Sequence, residues 1–230
     1  MSRVGHLVRA RFEPRSGTPW LLYRLRRRRF AARLARRAWL ARATVDLDIA
    51  DDVRLARNIR VDITPGTHSV VRLGPGCRLG PGVYLELKGG TIDFGHDVDV
   101  RHTVRLNVKG TLTVPGPSIF AENCTVHCDN EVFIGPMTAF SEQVTITDSS
   151  HHHVAPDEWF YGSVKSGTVR FGSNSWVAAR AVIARNAQIG DCCIVGGNSV
   201  VTGEVPDGHL ASGIPATSRP LGYDWLPAAE

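Results

Sequence analysis

The 230-residue sequence predicts an all-β solenoid preceded by a basic helical extension. The first observation behind this is a ladder: reading every sixth residue from Phe171 gives Val177, Ile183, Ile189, Val195 and Val201, all apolar. The second is its companion: two residues before each next rung stand Ser175, Ala181, Ala187, Cys193, Ser199 and Val205, all small or modest in size. A period of six matches neither the 3.6 of an amphipathic helix nor the 2 of a half-buried strand. It suits three short flat strands per turn, with a bulky aliphatic filling the interior and a small residue fitting each tight corner. The third observation is charge. Residues 1 to 42 hold thirteen arginines and one glutamate, a net +12, which leaves fourteen basic and twenty-one acidic residues, a net −7, for the rest of the chain.

The extension, residues 1–50, is expected to be helical over its basic run "RLRRRRFAARLARRAWLAR". Arg26, Arg29, Arg33, Arg36 and Arg37 fall at spacings of three and four and gather on one face, opposite a modest stripe of Leu22, Phe30, Leu34 and Ala38. Three uses are open to such a helix: a solvated basic element packed on the body, an attachment to an anionic membrane surface, or a nucleic-acid contact. The run lacks interleaved aromatic stacking groups and no nucleic-acid-binding module is recognisable, so no nucleic-acid partner is expected.

The solenoid is expected over residues 51–205. Six-spacing returns upstream as Leu55, Val61, Thr67, Leu73, Leu79, Leu85 and Thr91, with Ile59, Val71, Cys77 and Val83 at the corner offset. After Thr91 the register slips by one to Ile92, Val98 and Val104, is ragged between residues 110 and 130, and resumes with Ile134, Phe140 and Ile146. The position after each rung reads Gly172, Ala178, Ala184, Gly190, Gly196 and Thr202, and Asn174, Asn186 and Asn198 recur nearby. Glycine and asparagine tolerate positive φ, so both sets are expected at the turns. Between Ile146 and Phe171 the ladder is broken for 25 residues, where whole hexads need 24. A loop leaving a coil corner is therefore expected at 147–168, and residues 206–230 are expected to form a C-terminal tail.

A hydrophobic content of 43% suffices for a real core. No run of about eighteen apolar residues and no apolar h-region is present, so neither a transmembrane helix nor a secretory signal is expected. The expected location is cytoplasmic, with peripheral attachment to the inner membrane surface open through the basic helix. The five cysteines are odd in number and form no CxxC pair, which fits small buried thiols better than disulfides or a zinc site.

The stretch "SWVAARAVIARNAQIGDCCIVGGNSVVTGEVPDGHLASGIPA", six consecutive hexads followed by "SGIPA", resembles the hexapeptide-repeat acyltransferases, and the likeness covers roughly residues 53–219. The resemblance implies a left-handed parallel β-helix with three hexapeptides per coil. The nearest comparison is to galactoside, maltose and polysaccharide O-acetyltransferases. It implies that His151 in "TDSSHHH" is the general base for an acceptor hydroxyl attacking the thioester of acetyl-CoA, with no metal. Asn123 in "ENCTVHCDN" would help bind the acceptor, a hydroxyl on a sugar, glycolipid or polysaccharide, and Asp148 would orient the imidazole or touch that acceptor. The backbone N–H of Ala179 would face the developing oxyanion. Trp176 would come from the neighbouring subunit of a homotrimer. Gly197 and Thr202 match positions along the pantetheine arm, and Arg219 is the nearest cation for a CoA phosphate. Three residues depart from the pattern: Ala178 replaces a glycine, Gly203 a frequent lysine and Thr217 a frequent basic residue.

Read on their own, three successive histidines are a catalytic base with neighbours, a metal cluster or a solvated loop. Adjacent residues of an extended chain point to opposite sides, so three in a row do not readily face one ion, whereas a single imidazole titrates where a proton must be moved. His152 and His153 are expected at the loop surface or as walls of the acceptor pocket. His102 and His127 fall in the solenoid, where structural roles are expected. Zinc chemistry of the γ-carbonic anhydrase kind, on the same fold, needs an HxxxxH pair, and no two histidines here are five apart. A non-catalytic binding or assembly module stays open, because fold alone does not establish activity.

Overall fold

The computed structural model describes residues 20–151 and 164–222. The six-residue period resolves into a solenoid with three flat faces. The first holds eight strands, from Thr44–Ile49 to Glu204–Val205; the second nine, from Arg54–Leu55 to Ala216–Pro220; the third seven, from Arg60–Ile63 to Val200–Val201. Neighbours within these faces are parallel, except that Ala216–Pro220 turns back antiparallel on His209–Gly213. All six rungs from Phe171 to Val201 and all six corner residues from Ser175 to Val205 are buried. Alternate residues of each short strand point inward, so every coil buries apolar groups only against the coils above and below. Four phenylalanines thread this interior: Phe94 and Phe120 stack at 6.4 Å, Phe120 and Phe140 at 5.0 Å, and Phe171 meets Phe140 edge-on at 5.1 Å.

Strand registers explain where the period fails. Successive first-face strands are offset by 24 residues (Thr44 to His68), 21 (Val70 to Thr91), 20 (Thr91 to Thr111) and 20 (Thr111 to Glu131). They then close to 18 (Arg170 to Gln188) and 16 (Gln188 to Glu204). A strict hexad therefore holds only in the 18-residue coil. In the 20- and 21-residue coils the third face carries one further inward residue, Leu87, Val108 or Cys128, before the chain turns. Thr67 and Thr91, expected as rungs, are accordingly half-buried, and the interior is filled by Val71, Leu73, Ile92 and Phe94.

The turns separate the two sets expected there: the asparagines take positive φ, and the glycines after the rungs do not. The left-handed positions lie three after the rungs, at Asn174 (φ 56°), Arg180 (61°), Asn186 (68°), Cys192 (57°) and Asn198 (58°). Gly172 and Gly190, immediately after the rungs, serve close approach instead. A Cβ on Gly172 would stand 2.4 Å from Asp191 Oδ1 and one on Gly190 2.2 Å from Asp207 Oδ1. The five cysteines are all buried and free. Burial pushes the Cys77 and Cys124 thiols up to about 11 and Cys128 to about 12, so they stay protonated at neutral pH.

The boundaries shift at both ends. The first strand, Thr44–Ile49, pairs with His68–Leu73 and so starts the solenoid before the expected residue 51. Residues 209–220, expected as tail, complete the second face. Across the N-terminal end lies the helix Trp20–Leu40. Backbone hydrogen bonds tie each coil to the next, as in Thr44 to Thr67 (2.9 Å), Arg54 to Cys77 (2.9 Å) and Arg60 to Val83 (2.8 Å). The first coil has no coil before it, and several of its carbonyls face the helix instead of a strand. Arginine, with five donors and no acceptor, fits this need. Arg27 reaches Ala50 O (2.8 Å) and Asp51 Oδ1 (2.7 Å), Arg33 reaches Arg57 O (3.2 Å), and Arg37 reaches Val61 O and Asp62 Oδ1 (2.7 Å). Phe30, Leu34 and Ala38 close the core beneath them, while Leu22, expected on the same stripe, is exposed.

Phe120→Ala removes the ring flanked by Phe94 and Phe140 and leaves a void that a stacked coil cannot collapse. A loss of about 4 kcal/mol of unfolding free energy is expected by denaturant titration.

Candidate functional site

The histidine segment leaves the third face at its lower corner. Thr145–Thr147 pairs with Thr125–Cys128 above and Val182–Ile183 below, and the first-face strands on either side of the excursion are 37 residues apart (Glu131 to Thr168). Against 20 in the coil above, the excursion adds 17 residues. Its base is a two-stranded arm, Ser149–His151 against Val164–Ser166, with His151 opposite Val164. His151 is exposed on this arm. His152 and His153 lie outside the described residues.

Asp148 anchors the arm. It follows Leu87, Val108 and Cys128 in the inward column of the third face and is fully buried. In the coil above, Lys109, Gly110 and Thr111 donate their N–H groups to carbonyls of the next coil. Where the arm departs, the equivalent donors are Asp129, Asn130 and Glu131, and the Asp148 carboxylate accepts all three at 2.8, 2.7 and 2.8 Å. Its own carbonyl accepts the Gly167 N–H at 2.7 Å, which ties the outgoing strand to the returning one. Burial pushes the carboxyl above the usual carboxylate range, and the three N–H donors pull against it. Asp148, expected to orient the imidazole or touch an acceptor, instead holds the frame on which His151 stands, because both carboxylate oxygens are committed to backbone.

The remaining expected residues occupy two edges of the third face. Asn123 and Ala179 sit at the corner where the second face turns into the third. Asn123 takes the left-handed position there (φ 61°) and accepts a hydrogen bond from Thr103 Oγ1 at 2.7 Å. Ala178 and Arg180 donate their N–H groups to Val195 and Glu142 at 2.9 and 3.0 Å, while among the described residues no acceptor takes the Ala179 N–H between them. Gly197 is stacked on this corner, where a Cβ would stand 3.3 Å from Ala179 O. Trp176 lies nearby on the second face, 43% exposed, its indole N–H bonded to Ser141 Oγ at 3.0 Å. Thr202 belongs to the opposite edge, the one that carries the arm. Arg219 is exposed on the final antiparallel strand, opposite Leu210. Five residues at ~3.3 Å each separate the two edges of the third face, roughly 16 Å. Within one chain, then, His151 and the Ala179 N–H do not converge.

Three further residues stand near the arm. Arg185 Nε donates to Ser150 Oγ at 3.3 Å. Thr147 continues an outward column above which Asn107 and His127 are paired at 3.0 Å. Burial, followed by the charge of Lys88, holds the His127 imidazole below its ordinary value and favours its neutral form. The sequence signal for Arg185 was the step from Ile146 to Ile183: once those rungs share a face, Arg185 falls below Asp148.

The family description "Bacterial transferase hexapeptide (six repeats)" matches residues 168–203. Over those residues the chain carries the hexapeptide repeats of that family, and the three-faced parallel stack is consistent with a hexapeptide left-handed β-helix. Among curated relatives, the galactoside O-acetyltransferase of Lactococcus lactis subsp. lactis (strain IL1403) is 29% identical over 124 residues, covering 54% of this chain and 59% of the relative. The chain thus spans little more than half the length of that relative. Among solved structures, the polysialic acid O-acetyltransferase OatWY superposes with a TM-score of 0.61 at 15% identity, over 82% of this chain and 89% of that one. A variant of AntD, an N-acyltransferase from Bacillus cereus in complex with dTDP-4-amino-4,6-dideoxyglucose and Coenzyme A, gives 0.52 at 15% identity, over 76% and 83%. At these identities the two structures speak to the fold.

Asp148→Ala leaves three partly buried N–H donors without their acceptor. An unfolding free energy lower by about 3 kcal/mol is expected in chemical denaturation.

Proposed function

We propose that the protein is a CoA-dependent acyltransferase that moves acetyl from acetyl-CoA to a hydroxyl of a sugar, glycolipid or polysaccharide, with His151 as general base. The observation that carries this reading is the arm: a single described histidine raised from a coil edge on a carboxylate-pinned base, in a hexapeptide solenoid whose curated relative is an O-acetyltransferase. Acetyl-CoA as donor is supported by the Coenzyme A in the AntD complex.

In the proposed reaction the acceptor oxygen attacks the thioester carbonyl as its proton passes to the imidazole of His151. The carbonyl oxygen, now an oxyanion, is met by the Ala179 N–H. Collapse breaks the carbon–sulfur bond, and the imidazolium returns the proton to the departing thiolate. With His151 and Ala179 on opposite edges of one face, the reaction needs the arm of one copy beside the Ala179 corner of another, which is why we propose a homotrimer with the site between subunits. An outward stripe on the second face, Ile119, Ala139, Trp176, Ile194 and Leu210, supports such an association: it aligns residue for residue down the stack and is apolar throughout. Gly197 and Thr202 would then flank the pantetheine arm from neighbouring copies, and Arg219 would serve a CoA phosphate.

Purified protein mixed with acetyl-CoA and a sugar acceptor is expected to release free thiol, and His151→Ala to slow that release at least about a hundredfold with its circular dichroism unchanged. A fully active His151→Ala variant would remove this residue from the mechanism. Light scattering at micromolar concentration is expected to give three times the 25.1 kDa chain mass, and a monomer that still turns over would refute the shared site.

A further inference from the structure

The helix Trp20–Leu40 has two faces with different chemistry, and only one is used by the solenoid. Its eight arginines divide accordingly. Arg27, Arg33 and Arg37 are spent on carbonyls and carboxylates of the first coil. Arg28, Arg29 and Arg36 are exposed and take no part in the ion pairs of the described residues. Among them stand the most exposed large apolar groups of the helix: Trp39 at 77%, Leu40 at 62%, Leu25 at 41% and Leu22 at 37%. Helical spacing sets Leu25, Arg29, Arg36 and Trp39 on the side away from Phe30, Leu34 and Ala38.

We propose that this outward face binds an anionic lipid surface, with the helix lying in the plane of the headgroups. Three properties select that occupant. The face carries cations and no carboxylate, whereas residues 43–230 carry a net −7, so this face, and not the body, is what an anionic bilayer attracts. Its apolar members include an indole, whose apolar body and polar N–H suit the boundary between headgroups and acyl chains. Among the described residues no helix is long and apolar enough to cross a membrane, so the attachment is to the surface. The helix lies across the end of the stack, which directs the solenoid away from the bilayer. The strand leading to His151 is four steps from the first strand of the third face, or ~19 Å at ~4.8 Å per step, and so clears the headgroups.

The test is co-sedimentation of the full chain with phosphatidylcholine vesicles, with and without about 30% phosphatidylglycerol, across a salt series. Binding is expected only to the anionic vesicles, weakening as salt rises. The triple variant Arg28→Glu, Arg29→Glu, Arg36→Glu is expected to lower the partition coefficient by well over tenfold, with an unchanged melting temperature because the arginines that cap the first coil remain. Trp39→Phe is expected to abolish most of the blue shift in tryptophan fluorescence on vesicle addition. Three results overturn the proposal: equal binding to neutral vesicles, undiminished binding by the triple variant, or tight binding of a nucleic-acid duplex by protein that ignores the vesicles.

Discussion

The constraint on which the molecule depends is the need of each coil's backbone N–H and C=O groups for partners in the coils beside it. Coils exchange N–H···O=C bonds in both directions, as Ala178 with Val195 in the next coil and Arg180 with Glu142 in the preceding one, so a break in the stack leaves donors and acceptors without partners. The chain answers each break with side chains of the opposite kind. At the N-terminal rim, where no coil precedes, arginines reach the carbonyls of Ala50, Arg57 and Val61. At the departure of the arm the groups are N–H donors, and Asp148 accepts three. Further down, Asp191 accepts the Ser173 N–H and Asp207 accepts the Asp191 N–H at 2.8 Å. The same rule explains an arginine-rich helix, a buried aspartate and the glycines beside Asp191 and Asp207.

The regular half of this fold was legible because a period of six has a simple physical cause: one inward aliphatic and one small corner residue per face. Phe171 to Val201 carry that pattern without interruption, and each is buried. The upstream half was less legible because the coils there hold 20 or more residues. Counting in sixes then drifts onto Thr67 and Thr91, while Leu87, Val108 and Cys128 fill an extra inward position that the hexad does not contain. The turn glycines misled for a related reason. Glycine is favoured both by positive φ and by close approach, and a sequence does not separate the two. Here asparagine, arginine and cysteine hold the left-handed positions, and Gly172 and Gly190 make room for aspartates.

The site was legible as a set of residues but not as an arrangement. His151 stands out because the ladder stops just before it, and that is a local fact. Asn123, Ala179 and Gly197 align on one edge and Thr202 on the other, a division that follows from which face each falls on and so from the true coil lengths. The role of Asp148 was hidden altogether. In sequence it is a carboxylate three residues before a histidine, which suggests a partner for the imidazole. Only the missing carbonyls of an interrupted coil reveal that the backbone needs it more.

The arginines of the N-terminal rim also decide how long the object is. A stack with both rims bare would be its own best partner, since each bare strand edge carries unpaired N–H and C=O groups that another such edge can pair, and heterologous contacts of that kind propagate into fibres. A helix cannot extend a β-ladder, and guanidinium groups, which only donate, occupy carbonyls of the rim without offering a new acceptor edge. Finite length is thus written into the chain at its beginning, by the residues that look least like part of a β protein.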